Sequence, residues 1–477
     1  MSEQPGSITA PRRVAPDDIH RPLYHFTPPQ NWMNDPNGLI FWRGQYHLFY
    51  QHNPDAPYWG NMHWGHAVSE DLTHWRDLPI ALAPQPDSPD SAGCFSGCAI
   101  VADGTPTIVY TGTQGAHCEI QTQCIATAVD DGLVKWTKHP RNPLLSDIPA
   151  FLKQTRDFRD PFVWRMNDRW YMVLGSHIID EGGVILLYQS NDLEHWAFKS
   201  ILLQGHQEET GTPWECPNFF PLGDKWVLIL SSIGPEMRVY AFVGTFEDEQ
   251  FHVESQNRLN WGSFYAPLSF ADADNRRILF GWIVEDRNRE SQIAAGWSGA
   301  QSLPRELTLA EDGRLLQKPV IEAQKLRGQV LISTERGDSS ELHLQDTHDC
   351  YEILAKMQPR GRMTLRLCCA PDHSEFTDLI VDVEKLSAII DRTHSSRNTH
   401  VDTSTLKVDL ESVADGEITL HIFVDRSIIE VFINDTVCLT SRIYPTQSNS
   451  TGVQLIEGHT LIEELTIWEL QSIWERA

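Results

Sequence analysis

The chain has 477 residues, 41% of them apolar and 10% aromatic, enough for two domains with large cores. A formal charge of −27 excludes nucleic acid and anionic membranes as partners, because both would be repelled. No apolar run approaches the roughly 20 residues of a membrane span, and nine scattered cysteines, an odd number, suit reduced thiols better than a disulfide framework.

Residues 1–20 read as a polar, proline-bearing tail. Met1 to Pro16 lacks the apolar core of a secretory signal, so a complete chain of this kind is expected in the cytoplasm. Trp32-Met33-Asn34-Asp35-Pro36-Asn37-Gly38 follows. Pro36 pushes Asp35 toward an extended backbone, and Asp-Pro-Asn-Gly reads as a tight turn with Gly38 at positive φ. Alone, Asp35 would be a turn-former. Arg159-Asp160-Pro161 repeats the acid-before-proline arrangement, and Trp214-Glu215-Cys216-Pro217 sets a third acid beside an aromatic and near another proline. Three acids on stiffened backbone in an aromatic-rich chain point to cleavage of a sugar acetal.

A repeat runs through the first two-thirds. Asp71-Leu72-Thr73-His74-Trp75 returns as Asp192-Leu193-Glu194-His195-Trp196, with a weaker copy ending at Trp136 and a fourth member expected at Trp261. Short β-rich runs lie between, such as residues 45–50, 107–110, 170–174 and 226–230. A period of about 60 residues suggests one four-stranded blade per repeat, about five blades in all. The tryptophans are read as blade packing. The pattern changes near residues 315–335, where Val320 to Gly328 reads as a short helix or linker. Alternating strands follow at 363–367, 418–424 and 428–433, with Asp425-Arg426-Ser427 as a hairpin turn, and these suggest a β-sandwich. Asp425 and Glu430 are given structural or rim roles. The expected organisation is all-β: tail 1–20, five-bladed β-propeller 21–318, linker 319–335 and β-sandwich 336–477.

Cys94 with Cys98, and Cys118 with Cys124, lack a second pair at zinc spacing, so no metal is expected. His63-Trp64-Gly65-His66 reads as strand with hydrogen-bonded imidazoles.

The motifs carry a resemblance. The chain from about residue 20 onward resembles glycoside hydrolase family 32, the invertases or β-fructofuranosidases. The Trp-Met-Asn-Asp-Pro-Asn-Gly block, Arg-Asp-Pro and Glu-Cys-Pro occur in the family's order, supported by residues 50–54, 95–97, 264–266 and 303–307. One departure is Ser263, where the family often has an acid before Phe-Tyr-Ala. The resemblance implies the same propeller and C-terminal module. It implies that Asp35 is the nucleophile, that Glu215 is the acid/base, and that Asp160 holds fructose hydroxyls and stabilises the transition state. Arg159 is expected to orient these carboxylates and to help keep Asp160 ionised. Glu215 should hold its proton near neutral pH while Asp35 is ionised, with Trp214 and Cys216 as an apolar wall. Asn34, Gln51, Trp59, Phe95 and Ser96 are expected to line the sugar pocket, and Trp297 to close its rim.

The expected activity is retaining hydrolysis of terminal β-D-fructofuranosides, sucrose first, without cofactor or metal. No Lys/Arg cluster is visible beside the motifs apart from Arg159, which favours free sugar over sucrose 6-phosphate; fructo-oligosaccharides are a further alternative. The rivals are a catalytically inactive sugar-binding protein and an arabinan-cleaving hydrolase. The partner is a small-molecule sugar, and an exposed sandwich face offers a surface for a homo-oligomer.

Overall fold

The computed structural model describes residues 18–152, 155–234, 236–338, 342–344, 348–410 and 417–474. The expected tail is therefore mostly outside the described residues. The structure is all-β, with two short α-helices, Gln207–Thr210 and Arg289–Ala295. Among the described residues no helix is long and apolar enough to cross a membrane.

Up to Pro319 the strands form five antiparallel sheets. The first strands of these sheets are Asn31–Trp42, Gly93–Ala102, Arg159–Met166, Trp214–Leu222 and Phe264–Ala271. Each packs against the next, and the last packs back against the first, so they ring an axis in a propeller-like arrangement. Trp297–Ser298 adds in parallel to Asn31–Trp32 and ties the far end of this region to its beginning. The runs near 45–50, 107–110, 170–174 and 226–230 are the second strands of the first four sheets, and their apolar residues are buried apart from the half-buried Trp226.

The repeat is a turn before the outer strand of each of the first three sheets. Leu72, Leu133 and Leu193 adopt φ of 65°, 54° and 66°. Their carbonyls accept the indole N–H of Trp75, Trp136 and Trp196 at 3.2, 2.8 and 2.9 Å. A carboxylate caps each turn through backbone N–H groups: Asp71, Asp192 and, in the middle copy, Asp130. Trp261 does not extend the series. The fourth sheet enters its outer strand through a tight hairpin at Asp248-Glu249, with φ of 50° and 62°. Trp261 lies at the end of that strand and packs on the C-terminal core.

Asp-Pro-Asn-Gly is not a turn between strands. It lies inside the strand Asn31–Trp42, where register shifts fall between Met33 and Pro36 and between Asn37 and Ile40. Pro36 has no N–H to donate, and a bulge is where a strand tolerates that loss. Gly38 does take positive φ, 51°. Matching irregularities occur in the other four inner strands, at Phe95-Ser96, Asp160-Pro161, Cys216-Pro217 and Ala266-Pro267.

Val320 to Gly328 contains a 3₁₀ helix, Ile321–Leu326. The following strands surround their own apolar core. The hairpin is confirmed: Asp425 pairs with Ile428, and Arg426 at φ 55° makes the turn. Trp261-Gly262 runs parallel to Leu439-Thr440, so the fourth sheet continues into the C-terminal strands.

Asp425 and Glu430 are structural and fully buried, so neither is at a rim. Asp425 accepts the backbone N–H groups of Leu23, Tyr24 and His25 at 2.7, 2.9 and 2.7 Å. The His25 ring lies between Asp425 (2.9 Å) and Glu430 (3.2 Å). Glu430 also accepts from Leu303 N at 3.0 Å and from Arg305. Removing one member strands the others without water, a cost of about 3–5 kcal/mol. Asp425→Ala should therefore lower the unfolding free energy by that order in urea titrations, with loss of the joint between the two regions. A loss under about 1 kcal/mol would show that the joint is held elsewhere.

Candidate active site

At one end of the ring axis lies a cavity of about 330 Å³. Asp35, Asp160 and Glu215 all line it, although 180 residues of sequence separate the first from the last. The bulges explain the convergence. Each lets an inner strand turn one or two side chains toward the axis instead of into the sheet. Asp160 and Cys216 accept the left-handed region, φ 63° and 47°, to do so. In the second inner strand Gly97 takes the place of a proline, and a Cβ there would come within 2.1 Å of Val109 O.

A continuous chain of contacts joins the acids. Ser96 Oγ donates to Asp35 Oδ2 at 2.6 Å, and the Asn34 amide donates to Asp35 Oδ1 at 3.0 Å. The Cys216 thiol lies 3.6 Å from Asp35 Oδ2 and 3.5 Å from Asp160 Oδ2, and the Cys216 N–H donates to Asp160 at 3.0 Å. Arg159 donates to Glu215 Oε1 from Nε at 3.1 Å and from Nη2 at 2.7 Å. The Tyr265 hydroxyl donates to Glu215 Oε2 at 2.5 Å. Arg159 is itself held by Gln121 and Asp157. Despite burial, His177 and Arg159 keep Asp157 well below the usual carboxylate range.

Burial pushes Asp35 up to about 6, and the Glu215 charge adds to it, against the Ser96 and Asn34 hydrogen bonds. Burial also pushes Asp160 up to about 7; Arg159 opposes this, while Glu215 and Asp35 reinforce it. Arg159 favours ionised Asp160, but burial among like charges outweighs one guanidinium. At about 6, Asp35 is mostly ionised at neutral pH.

The remaining expectations divide. Asn34, Gln51, Trp59, Phe95, Ser96 and Arg159 line the cavity. Gln51 is fixed by Cys94 O at 3.0 Å, and Asn34 by the Trp32 indole at 2.6 Å. Trp59 is 53% exposed and packs edge-on against Phe95 at the rim. Trp297 is not at the rim. It is fully buried, its indole N–H donates to Asp18 at 2.6 Å, and Arg287 stacks 4.6 Å from its ring. Its parallel pairing with the first sheet pulls it into the seam, away from the mouth. Trp214 is also no part of the wall. Its ring packs beneath Gly183 and Gly205, where a Cβ would come within 2.3 Å. Trp282, Ile233 and Met237 supply apolar wall alongside Cys216.

Ser263 donates to Asp286 at 2.8 Å, and neither lines this cavity. Trp282, Gln121 and Asp157 were not singled out by sequence reasoning, and Tyr265 only as part of the 264–266 motif. Tyr265 had a signal: it precedes Ala266-Pro267, the fifth strand-proline bulge. Trp282 enters only through pairing opposite Tyr265. No Lys/Arg cluster was visible beside the motifs, and the structure adds one arginine and one histidine to the cavity. Arg156 and His117, remote from each other in sequence, both line the cavity and are exposed.

A ring of sheets carrying carboxyls on its inner strands, beside amides and aromatics suited to hydroxyls, defines a glycoside hydrolase. Residues 25–319 match the glycosyl hydrolases family 32 N-terminal domain, and residues 322–469 match the family's C-terminal domain. The chain belongs to glycoside hydrolase family 32. It is 35% identical to a sucrose-6-phosphate hydrolase of Zymomonas mobilis, an alignment covering 94% of this chain and 92% of that protein. It is 34% identical to a levanase of Bacillus subtilis, over 96% of this chain and 71% of the relative. Its fold matches fructan 1-exohydrolase IIa from Cichorium intybus with a TM-score of 0.85 at 27% identity, covering 96% of this chain and 99% of that one. Sucrose-6-phosphate hydrolase from Lactobacillus gasseri gives a TM-score of 0.85 at 26% identity, covering 96% and 94%. Fructosidase activity is the common ground of these relatives.

Asp160 provides a test of the electrostatics. Its proton leaves near 3.8 in the unfolded chain and near 7 in the folded one. The folded state thus binds the extra proton between those values, and stability falls as pH rises through that window. Asp160→Asn should be more stable than the parent at pH 8, by an amount on the order of 4 kcal/mol, and near parity at pH 4. Urea unfolding at both pH values measures this; an equal gap at the two would refute the burial argument.

Proposed function

We propose that the protein is a retaining β-fructofuranosidase acting on terminal, non-reducing fructose of sucrose-type substrates. The observation that carries this reading is Asp35 and Glu215 lining one cavity with Asp160 in contact with the residues between them. In this reading the five sheets are the blades of a five-bladed propeller (21–318), followed by a linker (319–335) and a β-sandwich (336–477). The matched segments meeting between 319 and 322 support that division.

Asp35 attacks the anomeric carbon of fructose as Glu215 delivers a proton to the leaving oxygen. An ester joins Asp35 to fructose, and the free sugar departs. Glu215 then takes a proton from water, the hydroxide adds to the same carbon, and Asp35 is released. Two inversions give retention. Ser96 and Asn34 aim the Asp35 carboxylate, and Asp160 receives fructose hydroxyls and balances the positive charge that develops on the ring. Tyr265 and Arg159 grip both oxygens of Glu215 and set its direction. Trp59 and Phe95 offer ring faces at the mouth.

Asp35→Ala and Glu215→Ala should each lower kcat/KM on sucrose by a factor on the order of 10³ or more. Activity near the parent's in either variant refutes the role assigned. The acid limb of the pH–rate profile should follow Asp35 at about 6.

A second reading, sucrose 6-phosphate as the preferred substrate, is favoured by Arg156. Its guanidinium lines the mouth and has no carboxylate at ion-pairing distance among the described residues, and His117 lines the same cavity. A phosphate on the outward-facing sugar would supply the missing anion. If so, Arg156→Ala lowers kcat/KM on sucrose 6-phosphate about tenfold more than on sucrose. Equal losses on both substrates would return the assignment to free sugar.

A further inference from the structure

The axis of the ring does not end at the acids. Below them a small void is lined by Pro36, Gly97, Pro161, Pro217 and Pro267, one residue from each inner strand. Further along the same strands opens a second cavity of about 260 Å³. Its lining side chains are mostly apolar, including Leu39, Ile100, Phe162, Phe220 and Leu268, with Ser269 and backbone polar groups between them. One charged side chain lines it, Arg277.

Arg277, which is half-buried, differs from five buried arginines of the chain. Arg159, Arg287, Arg305, Arg392 and Arg442 each lie against a carboxylate. The neighbouring Arg276 has two, Asp272 and Glu322. Arg277 has none at ion-pairing distance among the described residues. Its hydrogen bond runs from Nε to Ser269 Oγ at 3.0 Å, and that hydroxyl is already engaged with Asn218. Nη2 is shielded from water and has no hydrogen-bond partner. The guanidinium lies 3.8 Å over the Phe220 ring, which offsets part of the charge but accepts no conventional hydrogen bond.

Burial lowers the Arg277 pKa to about 9, so it stays a cation at neutral pH. A guanidinium in apolar surroundings with an unmet donor is costly, and a counter-charge removes that cost. The chain provides acids in excess, yet none is placed here.

We propose that Arg277 is the anchor of an anion-binding site at the end of the propeller axis remote from the acids, taking a small, singly charged, weakly hydrated anion. One cation matches one negative charge. The apolar lining disfavours strongly hydrated, multiply charged anions such as sulfate, because their water shell would not be replaced. A halide and a short aliphatic monocarboxylate share the required chemistry, and the cavity admits both. Occupancy would brace the third, fourth and fifth inner strands, since Phe162, Phe220 and Leu268 surround the guanidinium's cavity. The site is independent of the substrate assignment.

The test compares the full-length protein with Arg277→Met, which keeps an unbranched apolar stem and removes the charge. Melting temperatures are followed as sodium sulfate is replaced, at constant ionic strength, by sodium bromide or by sodium butyrate. Generic salt effects act on both proteins alike, so the difference between them isolates the site. The parent should gain about 1–2 °C over the variant at anion levels tenfold above half-saturation, with a saturable curve. A response to bromide alone identifies a halide site, and a stronger response to butyrate identifies a carboxylate site. Superimposable curves for parent and variant would overturn the proposal. If Arg277→Met does not fold, crystals of the parent soaked in bromide and in butyrate decide: an anomalous peak or butyrate density beside the Arg277 guanidinium supports the site, and the absence of both rejects it.

Discussion

The structure depends on a conflict between strand geometry and proline. Four of the five inner strands carry a proline where a ladder N–H would otherwise donate, at Pro36, Pro161, Pro217 and Pro267. A proline inside a strand must sit at a break in the ladder. Each break re-aims the preceding side chains toward the axis, and the ring brings five such breaks to one level. The candidate acids thus owe their meeting to backbone that cannot pair regularly. The same constraint places Tyr265 beside Glu215 and puts the Cys216 thiol against both aspartates.

Bringing three carboxyls into one cavity has an electrostatic consequence. Burial and mutual repulsion raise Asp35 and Asp160, and the single guanidinium of Arg159 does not cancel that effect. Stability is therefore sacrificed at the site above mild acidity, in exchange for groups that titrate where acid–base chemistry operates. The seam with the C-terminal strands uses the opposite arrangement. There Asp425 and Glu430 have His25, Arg305 and backbone N–H donors in close contact, and burial strengthens the joint because the charges are paired. Arg277 belongs to neither pattern, which is why an exogenous anion is assigned to it.

The sequence made much of this legible. Short β-rich runs located the second strands, the leucine–tryptophan spacing located the outer-strand turns, and acid-near-proline motifs located the candidate carboxyls. The failures share a cause. Trp261 and Trp297 have the composition of repeat or rim residues, but each lies where one strand pairs in parallel with a distant one, at Leu439 and at Asn31. Trp214 lies beside Glu215 in sequence and on the opposite side of the strand, because successive side chains alternate. The Arg156–His117 mouth combines residues whose proximity follows only from neighbouring sheets.

By itself, the sequence determined the all-β character, the family, the three acids and the repeat, because each is written in local spacing or in residues that restrict their own backbone. Tertiary structure alone decided which aromatics reach the cavity, how far burial shifts Asp35 and Asp160, which acids are spent at the seam and that Arg277 lies against none among the described residues. Those outcomes depend on distances between side chains remote along the chain, and on the water excluded when they meet.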